Sequence, residues 1–214
     1  MSVAWQASLF GAETPAVDPA FVGLRRVELD ATAWVDRLPG WLRGPDVVMD
    51  ELVRVAPWRA SRRPMYDRIV DVPRLTAWWT SFDDAPPIIE EMRAALSDRY
   101  DVEFTSCGCN LYRDGNDSVA WHGDRIGRDV VDPRVAIVSV GEPRKLLLRP
   151  LARPERPSER AARGDARRFD LGHGELFVMG GSSQRTWQHA VPKVANAGPR
   201  MSITFRHGAD ITEE

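Results

Sequence analysis

Short apolar runs separated by turn-forming residues dominate the second half of the chain. From residue 104 onward, seven runs of six to nine residues are rich in Val, Ile, Leu and Phe, and Gly, Pro, Asn and Asp lie between them. Many short strands with turn signals between them are typical of an all-β sandwich or barrel. The predicted strands are 104–112, 118–124, 134–140, 144–151, 174–180, 186–191 and 199–207.

The first half of the chain carries longer, helix-like patterns. Residues 86–100 begin with proline and predict a helix. Five apolar residues would form one face of this helix: Ile88, Ile89, Met92, Leu96 and Tyr100. Residues 28–42 predict a second helix, with Asp30 as its N-cap. Pro73 interrupts a β-rich stretch, which therefore predicts two short extended pieces within 65–79.

A length of 214 residues suits one domain with a substantial core. The patterns place an arm and helices in 1–103 and a β-rich core in 104–214, packed together as one compact unit. The predicted fold class is therefore mainly β with N-terminal helices, an α+β arrangement. Residues 152–168 contain six arginines and three acidic residues, a composition typical of a solvated surface loop.

Composition and charge narrow the functional classes. Hydrophobic residues make up 43% and charged residues 28% of the chain, which indicates a globular protein. The formal net charge is −2, so nucleic-acid binding would need a local basic patch. The sequence shows neither a signal-peptide pattern nor a membrane-length apolar segment, which predicts a soluble, cytoplasmic protein. Cys107 and Cys109 flank one glycine and predict buried, reduced thiols.

His122 and Asp124 lie two residues apart on a predicted strand, so their side chains share one face. Two histidines and one carboxylate with open positions form the facial triad of non-haem Fe(II) oxygenases. A second histidine would come from His173 in a glycine-flanked turn, His207 near the C-terminus or His189 in a strand, and His189 is the best candidate. A His-x-Asp motif on its own is short and common, so it is also compatible with an ordinary pair of surface residues that binds no metal.

Arg200 and Arg206 lie six residues apart on the last predicted strand and therefore point to the same side of it. Two arginines on one face of an apolar strand are costly inside a barrel unless anions pair with them. A dicarboxylate cosubstrate is a natural partner, since guanidinium binds carboxylate through paired hydrogen bonds. The His-x-Asp motif, a distant histidine and this arginine pair are together more specific than any one of them.

With these motifs in place, the chain resembles the AlkB family of Fe(II)/2-oxoglutarate dioxygenases, which oxidatively dealkylate nucleic acid bases. The resemblance covers residues 65–207. It implies a double-stranded β-helix, or jelly-roll, as the catalytic core, with a nucleotide-recognition lid in the N-terminal part. Five stretches carry it: VPRLTAWW (72–79), CNLYRDGNDSVAWHGD (109–124), AIVSVGEPRKLLLR (136–149), HGELFVMGGSSQRTWQHAVPK (173–193) and PRMSITFR (199–206).

The resemblance also implies the cofactor residues. Iron would be bound by the catalytic triad His122, Asp124 and His189. The cosubstrates would be 2-oxoglutarate and O₂. The residues implied to bind 2-oxoglutarate are Asn110, Tyr112, Arg200, Ser202 and Arg206. Ser202 stands where many family members have asparagine, and the shorter side chain leaves one hydrogen bond to water.

The substrate side is implied by the same resemblance. Trp79 would stack on a flipped base, and its neighbour Trp78 would lie in the core. Tyr66 stands where some relatives carry an apolar wedge that fills the gap left by the flipped base. Alternatively, Tyr66 is an aromatic residue that packs within the lid. Arg74 would contact phosphate. Relatives follow His-x-Asp with an acidic residue that reads the base, whereas this chain has Arg125, which we assign to a phosphate contact.

The predicted function is oxidative dealkylation of N-alkylated bases in DNA or RNA, single- or double-stranded, releasing aldehyde, succinate and CO₂. The protein is expected to act as a monomer and away from membranes. One alternative keeps the iron chemistry but acts on a protein or a small metabolite, which Arg125 and the net charge of −2 favour slightly. A second alternative is a non-enzymatic barrel that binds nucleic acid or metal.

Overall fold

The structure, a computed structural model, describes residues 13–65, 68–79, 81–124, 126–127, 129–151 and 166–208, with the backbone alone for 62–65 and 68–71. Its first elements are β1 (Ala16–Val17), β2 (Arg25–Glu28), β3 (Ala33–Leu38), β4 (Leu42–Arg43), α1 (Pro45–Val55), β5 (Arg59–Met65), β6 (Arg68–Trp79), a 3₁₀ turn (Phe82–Asp84) and α2 (Pro87–Tyr100). The remaining elements are β7 (Phe104–Tyr112), β8 (Val119–His122), β9 (Val135–Gly141), β10 (Arg144–Pro150), β11 (Arg167–Leu171), β12 (Glu175–Gly181), α3 (Ser183–Thr186), β13 (Trp187–Val191) and β14 (Arg200–His207).

Two antiparallel sheets pack face to face. The large sheet has the strand order β2-β3-β12-β9-β14-β7-β6-β5, and the smaller one has the order β11-β10-β13-β8. Side chains of both sheets meet in one apolar cluster, where the rings of Phe169 and Phe177 lie 5.1 Å apart. The large sheet takes four strands from residues before 104 and four from residues after it. Both halves of the chain therefore build the wall on which the candidate site lies.

The two faces of the large sheet differ in chemistry because side chains alternate along each strand. On β14, Met201, Ile203 and Phe205 are fully buried in the main core. The residues between them face the smaller sheet. The main core also includes the inner faces of the two long helices. One face of the large sheet is therefore apolar, and the other is available for a polar site.

The predicted helix over 86–100 is confirmed as α2, with proline in its first turn and the predicted apolar face buried. The helix ends at Asp101, whose backbone is left-handed with φ of 51°. The sequence patterns did not identify α1, β5 or β11, although α1 buries Val48, Met49 and Leu52. Among the residues that the structure describes, no helix has the length and hydrophobicity needed to span a bilayer.

The predicted helix over 28–42 is wrong, because these residues form a hairpin that joins the large sheet. Asp30 does not cap a helix. Its Oδ1 accepts hydrogen bonds from the backbone N–H groups of Thr32 (2.8 Å) and Ala33 (2.9 Å) at the turn between β2 and β3. β3 then pairs with β2 and β12. Apolar residues lie on both faces of this inner strand. The sequence therefore lacks the alternation of apolar and polar residues by which a strand is recognised.

The predicted break at Pro73 is also wrong, because β6 is one continuous strand. Ala60 of β5 pairs with Leu75, and Arg62 pairs with Asp71, so the register shifts across this point. Pro73 falls within this irregularity, where the ladder does not need the N–H group that proline lacks. Its carbonyl oxygen accepts a hydrogen bond of 2.8 Å from the N–H of Ser118. The strand therefore continues to Trp79 unbroken.

Candidate active site

A pocket lies between the two sheets and gathers most of the residues that the sequence singled out. Strands β6, β7 and β14 of the large sheet form one wall, and β8 and β13 of the smaller sheet form the other. Nine predicted residues line it: Arg74, Asn110, Tyr112, His122, Asp124, His189, Arg200, Ser202 and Arg206.

The two histidines face each other across paired strands. His122 ends β8 and is the register partner of His189 on β13. Their ring centroids lie 4.2 Å apart. Nδ1 of His122 is 2.9 Å from the carbonyl oxygen of Ala120, which can only accept, so the proton lies on Nδ1. Nε2 of His122 is thereby left with its lone pair, the form in which imidazole binds a metal.

Asp124 lies just past the end of β8, and its side chain is only 5% exposed. Its Oδ1 accepts a hydrogen bond of 2.7 Å from Nε of Arg206. Its Oδ2 lies 3.5 Å from Nε2 of His189 and has no hydrogen-bond partner. The backbone N–H of Asp124 donates to Oε1 of Gln184 at 3.3 Å. Arg206 therefore orients the carboxylate, and Gln184 holds the backbone of the same residue.

Electrostatics set the protonation states of this cluster at neutral pH. Burial raises the pKa of Asp124, but the charges of Arg206, His189 and His122 outweigh burial and lower the pKa to about 2. Burial lowers the pKa of His189 to about 4, although Asp124 opposes the shift. At pH 7 the cluster therefore holds a carboxylate and a neutral imidazole. These are the forms that metal coordination requires.

The donor set fits a divalent cation. A buried carboxylate oxygen without a hydrogen-bond partner faces an imidazole, and a second imidazole is adjacent. In the part of the chain that the structure describes, no three His, Cys, Asp or Glu side chains stand in finished coordination geometry. Binding an ion would therefore require His122, Asp124 and His189 to close on a common point. Two histidines and a carboxylate are the ligands of non-haem Fe(II) oxygenases.

Arg200 is a fully buried cation on the floor of the pocket. Only 1% of its surface is exposed, and burial lowers its pKa. Its Nε donates to Oγ of Ser139 at 3.1 Å, and its guanidinium lies 5.1 Å from the ring centroid of Tyr112. Its Nη1 is buried without a hydrogen-bond partner. A buried guanidinium with an unused donor is costly unless an anion pairs with it, so Arg200 fits a ligand carboxylate.

Asn110 stands at the centre of a polar row across the large sheet. Its Oδ1 accepts a hydrogen bond of 2.7 Å from Nε of Arg74, and its Nδ2 donates to Oγ of Ser202 at 3.4 Å. Thr76 and Ser202 are its register partners on the two neighbouring strands. Arg74 therefore points into the pocket, beside a residue predicted to bind 2-oxoglutarate.

The predicted positions of the two tryptophans are wrong and must be exchanged. Trp79 is 6% exposed and lies in the main core, whereas Trp78 lines the pocket. The reason is strand parity, because Trp78 shares a face with Arg74 and Trp79 does not. A Cβ atom on Gly108, the register partner of Trp78, would lie only 2.7 Å from its ring. Gly108 thus makes room for the ring, over which the Arg206 guanidinium lies 4.8 Å from the centroid.

Two predicted substrate residues, Tyr66 and Arg125, lie outside the described residues. The other two histidines are not among the described residues that line the pocket. His173 lies in the turn before β12, where its Nδ1 accepts from the N–H of Gly141 at 2.8 Å and its Nε2 is 3.0 Å from Asp46. His207 is the last residue of β14. The predicted thiols, Cys107 and Cys109, are confirmed as buried and free.

Sequence reasoning missed Arg185, which holds the segment after Asp124. Its Nη1 donates to the carbonyl of Ile126 at 2.9 Å, and its Nη2 donates to the carbonyls of Gly127 at 2.5 Å and Val130 at 3.1 Å. These contacts span more than fifty residues of sequence. No local pattern could have revealed them.

Comparison with known proteins identifies the family. The sequence model of the 2OG-Fe(II) oxygenase superfamily matches residues 50–206. This chain belongs to that superfamily. Membership implies Fe(II) as cofactor and 2-oxoglutarate and O₂ as cosubstrates, as the sequence predicted.

Curated relatives lie among the alkB homologs. The alpha-ketoglutarate-dependent dioxygenase alkB homolog 3 of Homo sapiens is 30% identical over 78% of this chain and 64% of its own length. The DNA oxidative demethylase ALKBH2 of Arabidopsis thaliana is 35% identical over 59% of this chain and 45% of its own length. The predicted resemblance to the AlkB family is thereby confirmed. This chain spans less than two thirds of the length of either relative.

A solved structure, described as the structure of OsALKBH1, shares the fold. It superposes with a TM-score of 0.56 and 14% sequence identity, covering 86% of this chain and 100% of the other. Together with the two packed antiparallel sheets, this confirms the predicted jelly-roll core of a mainly β protein.

Proposed function

We propose that this protein catalyses the oxidative dealkylation of N-alkylated bases in DNA or RNA, using Fe(II), 2-oxoglutarate and O₂. One observation carries the proposal. The same pocket holds a buried carboxylate oxygen and a buried guanidinium nitrogen that both lack partners, with two histidines beside the carboxylate. The carboxylate oxygen fits a metal ion, and the guanidinium nitrogen fits the carboxylate of an organic acid. The names of the alkB relatives, dioxygenase and DNA oxidative demethylase, support nucleic acid as the substrate class.

In this proposal His122, Asp124 and His189 bind Fe(II), which supplies the activation of O₂. Arg206 keeps Asp124 ionised and fixes its orientation through the hydrogen bond of 2.7 Å. The tautomer of His122, held by the carbonyl of Ala120, presents Nε2 to the metal. These outer contacts would orient the ligands before the ion arrives.

Arg200 pairs with the distal carboxylate of 2-oxoglutarate in this proposal. Tyr112 and Asn110 contact the same molecule from β7, and Ser202 contacts it from β14. The short Ser202 side chain still reaches Asn110, since the two are hydrogen bonded at 3.4 Å. Apolar side chains that also line the pocket, among them Ile137 and Leu146, help to exclude water and so strengthen the charge pairing.

The proposed reaction balances without another reductant. One oxygen atom of O₂ enters succinate as 2-oxoglutarate loses CO₂, and the other enters the C–H bond of the N-alkyl group. The resulting N-hydroxyalkyl base breaks its C–N bond and an aldehyde leaves; the hydroxyl proton moves to the base nitrogen of a neutral base, or to solvent when the alkylated base was cationic. The products are succinate, CO₂, the aldehyde and the unmodified base.

A base inside a duplex must leave the stack to reach this pocket. Trp78 offers the flipped base an aromatic face. The β5–β6 hairpin carries that residue to the pocket wall and belongs to residues 1–103, the part of the chain in which an arm, helices and the lid are predicted. We retain Tyr66 as a proposed wedge and Arg125 as a proposed phosphate contact. Arg74, on the same face as Trp78, is a proposed substrate contact inside the pocket.

The localisation, the oligomeric state and the strandedness of the substrate are also proposals. We propose a cytoplasmic monomer acting on single- or double-stranded nucleic acid. Two free buried cysteines support a reducing compartment. Only four large hydrophobic side chains are exposed in the described ranges, which offers little apolar surface to a second copy and supports a monomer. They are Val22, Val55, Val131 and Leu151.

The test is mass spectrometry of oligonucleotides that carry one N-methylated base, single- and double-stranded, after incubation with Fe(II), ascorbate and 2-oxoglutarate. The expected result is loss of the methyl mass from the base with one succinate formed per event. Succinate formation without any change in the oligonucleotides would contradict the nucleic-acid proposal. A protein or small metabolite would then be the substrate, the alternative that Arg125 favours because it stands directly after the His-x-Asp motif, where relatives have an acidic residue.

We expect Trp78→Ala to lower kcat/KM for a methylated oligonucleotide about tenfold or more, because stacking on an aromatic side chain contributes about 1–3 kcal/mol per base. Trp78→Phe keeps a ring and should keep most of the activity. Trp79→Ala should instead lower the melting temperature, since it opens a cavity in the core that costs about 3–5 kcal/mol. Steady-state kinetics and thermal unfolding distinguish the two residues. Normal kinetics in Trp78→Ala would remove Trp78 from the substrate site.

A further inference from the structure

The pocket carries an excess of positive charge. Its lining includes three arginines, Arg74, Arg200 and Arg206, whereas the only carboxylate among the lining residues that the structure describes is Asp124. Fe(II) and the 2-oxoglutarate dianion cancel each other and leave this excess unchanged. If one further carboxylate paired with any of these arginines, the pocket would still carry more positive than negative charge.

The family resemblance leads us to expect an acidic residue directly after the His-x-Asp motif, and this chain has none there. The residue after Asp124 is arginine, and the next acidic residue is Asp129. Asp129 is exposed and is not among the described residues that line the pocket. The charge balance of the pocket therefore rests on the wall built by β6, β7 and β14.

N-alkylated bases fall into two electrostatic classes. A methyl group on N1 of adenine or N3 of cytosine fixes a positive charge on the ring. A methyl group on N3 of thymine or uracil, or on N1 of guanine, leaves the ring neutral. Neutral thymine and uracil present two carbonyl oxygens beside the alkylated nitrogen, and neutral guanine presents one carbonyl oxygen and one amino group; these oxygens only accept hydrogen bonds. The cationic adenine presents an amino group there, and the cationic cytosine presents an amino group and one carbonyl oxygen, so the ring charge is the feature that separates the two classes.

Arg74 is placed to read this difference. It shares the pocket face of β6 with Trp78, the proposed stacking residue, and its Nε donates to Asn110 at 2.7 Å. A guanidinium carries five N–H donors and no acceptor, so it suits a carbonyl oxygen and disfavours an amino group. A second cation in the same water-poor space is repelled.

We propose that the pocket selects neutral N-alkylated bases that present carbonyl oxygens, such as N3-methylthymine, N3-methyluracil and N1-methylguanine, over the cationic N1-methyladenine and N3-methylcytosine. Arg74 is the residue that determines this preference. The inference rests on the proposed function and specifies its substrate class.

The experiment compares single-stranded oligonucleotides of one sequence that carry N3-methylthymine, N1-methylguanine, N1-methyladenine or N3-methylcytosine at one position. The holoenzyme, with Fe(II), ascorbate and 2-oxoglutarate, acts on each, and kcat/KM is measured from the demethylated product. The expected result is a kcat/KM at least tenfold higher for the neutral bases than for the cationic ones.

Variants at residue 74 test the cause. Arg74→Gln removes the charge and should reduce the neutral-to-cationic ratio of kcat/KM about tenfold. Arg74→Lys keeps the charge and should preserve discrimination against the cationic bases. Arg168→Gln is the matched control, because Arg168 is an exposed partner of Asp170 on β11 and should leave the ratio unchanged. The KM for 2-oxoglutarate is measured in each variant, since Arg74 contacts Asn110.

The outcomes separate this inference from the proposed function. Equal or faster turnover of the cationic bases by the unaltered enzyme would overturn the inference and leave the proposed function intact. An unchanged ratio in Arg74→Gln would overturn the role of Arg74. Succinate formation without demethylation of any of the four oligonucleotides would overturn the proposed function and the inference with it.

Discussion

His189→Ala, Asp124→Ala and His122→Ala are each expected to reduce succinate formation roughly 100-fold or more. Loss of outer-shell partners alone costs about 10–100-fold in metal affinity or activity, and loss of a proposed ligand should cost more. The fold should survive, because all three side chains line a pocket rather than fill the core. Succinate assays, Fe(II) titration and circular dichroism of each variant give the measurement.

His173→Ala is the matched control for the histidine variants. His173 lies in the turn before β12, with Asp46 and the backbone of Gly141 as partners, so its loss should leave iron binding unchanged. If His189→Ala bound iron normally and produced succinate at the normal rate, His189 would not be a ligand. Such a result would remove the proposed triad.

Arg200→Ala is expected to weaken 2-oxoglutarate binding tenfold or more. A charge-assisted hydrogen bond to a carboxylate contributes about 1.5–3 kcal/mol, and the pocket around Arg200 is buried, which strengthens the pairing. Titration calorimetry with 2-oxoglutarate measures the loss directly. Succinate kinetics should show the same change as a higher KM for 2-oxoglutarate.

Arg144→Met is the matched control for Arg200→Ala. Arg144 is also buried, and its guanidinium lies 5.8 Å from the ring centroid of Tyr112, but its N–H groups donate to backbone carbonyls of Asp114, Asp117 and Pro192. Its removal should lower the melting temperature without changing the affinity of the folded protein for 2-oxoglutarate. Unchanged affinity in Arg200→Ala would instead make Arg200 a structural residue.

Most of the residues that the sequence predicted for the pocket share one property. They come in pairs at an even spacing: Arg200 and Arg206 lie on β14, where the strand period puts both on one face, and Asp124 follows two residues after His122, the last residue of β8. The same period was available for β6, where Arg74 and Trp79 lie five residues apart and must face opposite ways. The family resemblance points to Trp79 as the stacking residue, whereas the parity of β6 places Trp78 on the face of Arg74.

The errors that remain have a different origin. β3 is covered by apolar residues on both faces, and its Trp34, Val35 and Leu38 happen to match a helical spacing. Only its pairing with β2 and β12 distinguishes the two interpretations, and pairing is a long-range property. The contacts of Arg185 are long-range in the same sense, because they join α3 to a segment more than fifty residues earlier in the sequence.

The alternation along β14 constrains how this protein can change length. Arg200, Ser202 and Arg206 line the pocket, while Met201 and Ile203 fill the core. Successive residues of this strand therefore alternate between the pocket and the core. Inserting or deleting one residue within it would move guanidinium groups into hydrocarbon and apolar side chains into the pocket. We therefore expect changes of length to be tolerated in the connections between strands and not within β14.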